Sequence, residues 1–212
     1  MSDTFSHFDL PAMSRSDVYK LLASVIMPRP IAWVVSRDAA GSVNAAPFSF
    51  FNILSADPPL VAISFSAASD REGKDTFANI TQHPDFVINM VPEELAAEMN
   101  ITATNAPRGT DETRLAGLDL APSTIIDVPR IASSPVGLEC RLSQLIETGG
   151  SSVIALAHVL YAHVRTEAFA SHERLYIDPH KLRLIGRMHG SGGYCRTTDI
   201  FTIDRKSWPL DE

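Results

Sequence analysis

Only two cysteines, Cys140 and Cys195, occur among the 212 residues. They lie far apart and neither sits in a CxxC pair, which excludes a disulfide framework and a cysteine-rich zinc site. Basic residues are in deficit, 18 Lys and Arg against 25 Asp and Glu, for a net charge of −7. A nucleic-acid binder normally carries a clustered basic surface, so this balance argues against one. Long apolar runs are missing as well. The longest, about 153–164, is interrupted by His158 and His163 and is too short to span a bilayer. The first residues, Met-Ser-Asp-Thr-Phe-Ser-His-Phe-Asp, show no basic segment followed by an apolar one. They do not form a secretory signal, and a cytoplasmic location is expected.

Familiar catalytic patterns are also absent. There is no Walker A sequence, and the Gly-Ser-Gly-Gly run at 190–193 lacks the strand and helix context of a dinucleotide fingerprint. No Ser/His/Asp or Cys/His arrangement stands out. His158 and His163 are five residues apart on one strand, hence on opposite faces, and cannot chelate together. His172, His180 and His189 are scattered, so no metal site is expected. Cys140 falls inside an apolar alternation and reads as a small buried hydrophobe.

What is present is an ordinary globular composition, 45% hydrophobic and 20% charged, compatible with one domain over residues 1–212. Strand-like segments dominate: 31–36, 60–66, 86–91, a long hairpin of 136–147 and 152–165, and a pair around the 190–193 turn. Short helices are expected at 17–23, capped by Ser16, at 74–83 with Phe77, Ile80 and Thr81 on one face, and at 93–100. No regular βαβ alternation appears, so the class is mainly β, an antiparallel barrel with helical insertions. Strand 152–165 is apolar on both faces, which predicts burial on both sides and a second subunit as the cover. Residues 101–135 lack periodicity and read as a functional loop, a lid over a ligand that controls which acceptor enters.

Two segments suggest binding chemistry. The first, Val-Asn-Ala-Ala-Pro-Phe-Ser-Phe-Phe-Asn at 43–52, is an apolar run broken by Pro47, which gives no donor to a ladder. Free backbone groups beside Ser49, Phe50, Phe51 and Asn52 would suit a flat, hydrogen-bonding heteroaromatic ligand. A sheet-edge bulge whose phenylalanines fill the core is the plainer alternative. The second runs from Ser66 into a helix start bearing Arg71, Lys74, Asp75 and Thr76. Backbone donors, two cations and hydroxyls suit a phosphate monoester. Alternatively Ser69 and Glu72 form a capping box and the cations are merely solvated. His189, before the 190–193 turn, either presents its imidazole to a ligand or is a surface loop residue.

The segments Arg-Pro-Ile-Ala-Trp-Val-Val-Ser (29–36), Asn-Ala-Ala-Pro-Phe-Ser-Phe-Phe-Asn (44–52), Asp-Pro-Pro-Leu-Val (57–61), Lys-Asp-Thr-Phe-Ala-Asn-Ile (74–80) and Phe-Val-Ile-Asn-Met-Val (86–91) follow one another in order. Glu-Cys-Arg-Leu (139–142), Gly-Gly-Ser-Ser (149–152) and Arg-Leu-Ile-Gly-Arg (183–187) continue the series. Over roughly 18–203 the chain resembles the flavin reductase-like, FMN-binding split-barrel family, which includes flavoprotein oxygenase-associated reductases and flavoredoxin-like members. The resemblance implies a Greek-key split barrel, a homodimer and FMN near the subunit interface. Ser49, Phe50, Phe51 and Asn52 would lie along the isoalloxazine and ribityl chain, with backbone amides near Pro47 at the ring edge. Ser66, Arg71, Lys74 and Thr76 would hold the phosphate, with Asp75 among them, and His189 would reach the flavin from the C-terminal region. Arg29 is either a cation near the reduced ring or a salt bridge at the strand entry.

The activity implied is an NAD(P)H-dependent flavin reductase, with NADH or NADPH as donor and flavin or a partner monooxygenase as acceptor. The alternatives are an FMN-binding electron carrier and a non-catalytic flavin-binding protein. No side chain is assigned as acid or nucleophile, because the cofactor carries the chemistry.

Overall fold

The computed structural model describes residues 4–66 and 75–208. Helix α1 (Arg15–Val25) starts at Ser14, whose side chain accepts from the Asp17 N–H, rather than at Ser16. The helix ends just before the Met27-Pro28-Arg29-Pro30 block, where prolines on both sides of Arg29 prevent its continuation. β1 (Ala32–Arg37) and β2 (Val43–Phe48) then form a hairpin, and β3 (Phe51–Ala56) and β4 (Pro59–Ser66) form another. α2 (Asp75–Gln82) leads into β5 (Asp85–Met90). The next stretch holds α3 (Ala96–Ile101), α4 (Glu112–Leu115) and a small ladder of β6 (Leu120–Ala121) with β7 (Arg130–Ile131). The long hairpin is β8 (Val136–Glu147) and β9 (Ser152–Val164). β10 (Phe169–Ser171), β11 (Tyr176–Ile177), α5 (Pro179–Leu182), β12 (Ile185–Arg187) and β13 (Tyr194–Arg196) complete the chain.

Seven strands make one antiparallel sheet in the order β2-β1-β5-β8-β9-β4-β3. Its two edge strands, β2 and β3, are consecutive in sequence and joined only by Ser49 and Phe50. Three Cα–Cα steps separate Phe48 from Phe51, a reach of at most about 11 Å. The sheet must therefore curl until the end of β2 meets the start of β3, while the two edges stay unpaired with each other, and the result is a Greek-key split barrel. Pro47 lies on edge strand β2, where a missing donor is tolerated.

The alternation of β1 and β5 serves two cores. Ala32, Val34, Phe86 and Ile88 point into the barrel with Val61, Ile63, Phe65 and Cys140. Trp33, Val35 and Val87 point the other way, where they meet Met99, Ile126, Val128 and Ile131. Residues 101–135 are thus not a free lid. Three of their apolar side chains form part of a core, and Thr102 accepts from the buried Trp33 indole at 2.9 Å. The doubly buried strands are β1 and β5. β9 leaves Leu160 and Tyr161 exposed in the single chain. On α2 the inward face is Thr76, Asn79 and Ile80 with Phe77 packed beside them, whereas Thr81 faces out and bonds the Phe77 carbonyl. Cys140 is fully buried, and that burial pushes its thiol up to about 12, which makes it inert as a nucleophile. Among the described residues no helix is long and apolar enough to cross a membrane.

Candidate functional site

The proline block delivers Arg29 to an unusual environment. Its backbone bridges to Arg187, so the strand entry is stitched to β12. The residue is only 7% exposed. Nη1 donates to the carbonyls of Ala23 at 2.6 Å and Ile26 at 2.9 Å, which closes the C-terminus of α1 at the negative end of the helix dipole. Nη2 donates to the Met188 carbonyl at 2.9 Å, and Nε reaches Ser49 Oγ at a long 3.5 Å. The guanidinium also lies 5.9 Å from the centroid of the Phe50 ring. Among the described residues no carboxylate pairs with Arg29, so the alternative of a salt bridge at the strand entry is not what forms. The guanidinium is a buried cation held by neutral dipoles.

Two cavities share this cation. The first, about 390 Å³, is lined by Arg29, Ser49, Phe50, Phe51 and Asn52, with Leu22 of α1 and Ile26 just past its end on one side and Ser64 and Ile154 behind. Tyr19 stacks on Phe50 with centroids 5.9 Å apart. The Phe50 carbonyl accepts from Ser64 N–H at 2.8 Å, which fixes the β2–β3 break against β4. Asn52 Oδ1 accepts from Ile53 N–H at 2.8 Å, so its amide nitrogen is left as a donor. No carboxylate is among the described residues lining this cavity.

The second cavity, about 370 Å³, lies on the other side of Arg29 and is lined by Lys20, Ser24, Arg187, His189 and Ser191 among others. It also lacks a carboxylate in its described lining, in a chain of net charge −7. Lys20 pairs with Asp17 at 3.0 Å, both exposed. Arg187 donates to the carbonyls of Gly193 and Gly190 and stacks 4.9 Å from the Tyr194 centroid, which braces the turn behind His189. Gly193 is required there, because a Cβ would come 2.6 Å from the His189 carbonyl oxygen. His189 itself is exposed at the rim.

The residues expected around a phosphate are less concentrated. Arg71 and Lys74 lie outside the described residues. Ser66 is exposed at the end of β4, 3.5 Å from the Ser152 hydroxyl. Asp75 pairs with Arg108 at 3.5 Å and lines a third, polar cavity. Thr76 corrects the expectation for its side chain. It is 1% exposed, and its hydroxyl donates inward to Asn44 Oδ1 at 2.7 Å. Pro47 does not line the first cavity; it pairs across from Trp33.

Two buried carboxylates were not legible as such. Glu112 accepts from Asn44 Nδ2 at 2.9 Å and from Ala45 N–H at 3.3 Å. Burial raises its carboxyl above the ordinary value, with nearby Asp75 adding to the rise and these hydrogen bonds opposing it. The network continues through Ser36, which bonds both Asn44 and Asn79. Glu139, whose side chain is completely buried, accepts from the amides of Thr124, Ile125 and Ile126 and meets His163 Nε2 at 2.6 Å. Burial acts to raise its carboxyl, but those hydrogen bonds outweigh it and hold the group below the ordinary value. On a regular strand Glu139 and its neighbour Cys140 would face opposite sides of the sheet. A register shift between Glu139 and Cys140 accompanies the burial of both.

The fold is a split barrel with an aromatic cleft and a fixed cation beside its β2–β3 break, a cleft of a size and lining suited to a small flat molecule. The comparisons narrow the class. A family model described as "Flavin reductase like domain" matches residues 24–184, and the chain belongs to that family. A protein of uncharacterised function from Deinococcus radiodurans is 39% identical over 207 residues, 96% of this chain and 91% of its own. Among solved structures, nitrilotriacetate monooxygenase component B from Bacillus cereus superposes with a TM-score of 0.89 at 30% identity, covering 95% of this chain and 100% of that one. The 2-nitrobenzoate 2-nitroreductase of Pseudomonas fluorescens gives 0.87 at 32% identity, covering 97% and 99%.

Proposed function

We propose that the protein is an NAD(P)H-dependent oxidoreductase that binds FMN in the cavity between α1 and the β2–β3 break and passes electrons to free flavin or a partner monooxygenase. The observation that carries this reading is the Arg29 guanidinium, buried without a carboxylate beside Phe50, Ser49 and Asn52. Flat rings to stack on, a few polar groups and a fixed cation suit a flavin ring. These residues would hold the flavin, and its chemistry would be hydride uptake from a reduced nicotinamide and onward transfer of the electrons.

The chain's own residues have simpler tasks. Phe50, backed by Tyr19, and Phe51 present apolar surface that excludes water. Asn52 and the Ser49 hydroxyl orient the ring edge. Arg29 is held in place by three carbonyls before anything binds, so its charge favours negative charge on the occupant without reorganisation. Ser66, Arg71, Lys74 and the first backbone amides of α2 hold the phosphate. The cation-lined cavity across Arg29, with His189 at its rim, receives the anionic part of the nicotinamide donor. Two copies form a homodimer, which covers apolar side chains such as Tyr19, Val25, Ile26, Leu160 and Tyr161 that the single chain exposes.

Titration of the apoprotein with FMN, followed by loss of flavin fluorescence, tests the site. Phe50→Ala and Asn52→Ala should each weaken binding by roughly tenfold. Affinity unchanged in both variants would remove the cavity assignment.

A further inference from the structure

The last described residues form an arm. After β13, Thr197 bonds the Leu184 carbonyl through both its N–H and its hydroxyl, and Arg196 pairs with Glu93. From Thr198 to Trp208 every residue is exposed and lies outside helices and strands. Four large apolar side chains stand in solvent along it: Ile200 at 50%, Phe201 at 81%, Ile203 at 80% and Trp208 at 88% exposure. The run Thr-Thr-Asp-Ile-Phe-Thr-Ile is rich in β-branched and aromatic residues, a strand composition with no strand to join in its own chain. Solvent does not favour such a segment.

The same side of the molecule carries a matching unsatisfied surface. The arm's root, the β12–β13 hairpin, is bridged to Arg29, and Gly186 of β12 packs so closely that a Cβ would meet Pro28 at 2.9 Å. Ile26 lines the Arg29–Phe50 cavity, and it and Val25, with Ile53 and Leu54 next in sequence to the cavity-lining Asn52, are all more than half exposed. Ile53 and Leu54 lie on β3, a free sheet edge. An apolar free edge is the surface to which an extended segment adds.

We infer that the arm of one copy crosses to a second copy of this chain and packs over the α1 and β3 rim of its cavity, so that each partner closes the other's site. Eleven extended residues reach about 36 Å, enough to cross a two-fold axis beside the cavity mouth. Because the arm's root adjoins Pro28 and Arg29 of the cavity wall, a single two-fold operation would satisfy both arms at once. The arm adds its apolar side chains to the cover of the bound ring and lengthens retention of the cofactor. This rests on the homodimer proposed above.

The two tryptophans supply a readout that does not depend on flavin. Trp33 is 0% exposed, so iodide quenching of the apoprotein reports Trp208. The inference predicts that Trp208 is protected in the dimer and becomes quenchable on dilution to monomer. Ile53→Glu on the receiving rim should free Trp208 with the fold intact by circular dichroism, while Leu115→Glu on the exposed side of α4 should not. Removing residues 198–212 should speed FMN dissociation by roughly tenfold. A dimer whose Trp208 is fully quenched, a Trp208 that stays protected in a dimeric Ile53→Glu, or protection that persists in the monomer would each overturn the exchange of arms. A monomer at every concentration with Trp208 exposed would overturn the dimer itself. Failure to bind FMN with Trp208 protected in the dimer would contradict only the cofactor reading.

Discussion

Arg29 Nη2 donates to the Met188 carbonyl at 2.9 Å across 159 residues of sequence. That bond ties the end of α1 to the turn bearing His189 and places one cation in the wall of both cavities. The cation is therefore structural and electrostatic at once, and substitutions can separate the two roles.

Arg29→Ala should destabilise the fold by about 2–4 kcal/mol, because it leaves the buried carbonyl of Ala23 and its neighbours without their charged donor. Arg29→Lys keeps the charge but not the planar fork, and should recover part of the stability. In the FMN-loaded protein, Arg29→Gln should lower the two-electron midpoint potential by on the order of 30 mV for each ~1.4 kcal/mol of lost anion stabilisation. Urea melts and potentiometry read the two effects separately.

Thr76 and Lys74 should part company. Thr76→Val removes the donor to Asn44 and should cost about 1–3 kcal/mol of stability with little effect on FMN. Lys74→Ala should leave stability unchanged and weaken FMN by roughly tenfold or more through a lost charged contact. Denaturation and FMN titration of both variants check this division.

Glu139 should matter most above the acid range. Its folded carboxyl is held below the free value of 4.5, so its stabilisation is complete above that value and is lost as the pH falls through the lowered one. Glu139→Gln replaces an acceptor of backbone N–H groups with a donor. It should cost about 1.5–3 kcal/mol at pH 7, a deficit that disappears in acid where the parent is protonated too. Stability measured against pH for both proteins reads the convergence.

Glu112 should behave in the opposite sense. A carboxyl raised above 4.5 binds its proton more tightly when folded, so stability declines as the pH rises from 4.5 through the raised value. Glu112→Gln keeps an acceptor for Asn44 and Ala45 and should remove that decline, with stability at pH 7 within about 1 kcal/mol of the parent. Glu112→Ala strands the Asn44 amide and should cost about 1–3 kcal/mol. Urea unfolding of the two variants across pH 4–8 checks both statements.

The period-2 pattern of β4, the apolar alternation in the first half of β8 and the prolines on both sides of Arg29 were readable, because each is a local signal. Pro47 marked an edge strand, but the break falls two residues later, at Ser49 and Phe50. The gathering of Ser49, Phe50, Phe51 and Asn52 at one cavity followed from their adjacency. The packing of 101–135 was not readable. Ile126, Val128 and Ile131 enter the second core at irregular spacing, so no period announces them. Glu112 and Glu139 were hidden for a related reason: their partners are backbone amides and an asparagine distant in sequence, which leave no mark beside a carboxylate. Leu22 and Ile26 carried a usable signal, since apolar residues four apart on a short helix next to Arg29 form one face.

The central claim is that the cavity beside Arg29 holds a flavin that a reduced nicotinamide can reduce. An absorbance spectrum of the purified protein supplied with FMN, followed by anaerobic addition of NADH and then NADPH, tests it directly. The account predicts protein-bound flavin bands that bleach within seconds with at least one donor. A protein that stays colourless after exposure to FMN and gel filtration, or bands that persist with both donors, would contradict it.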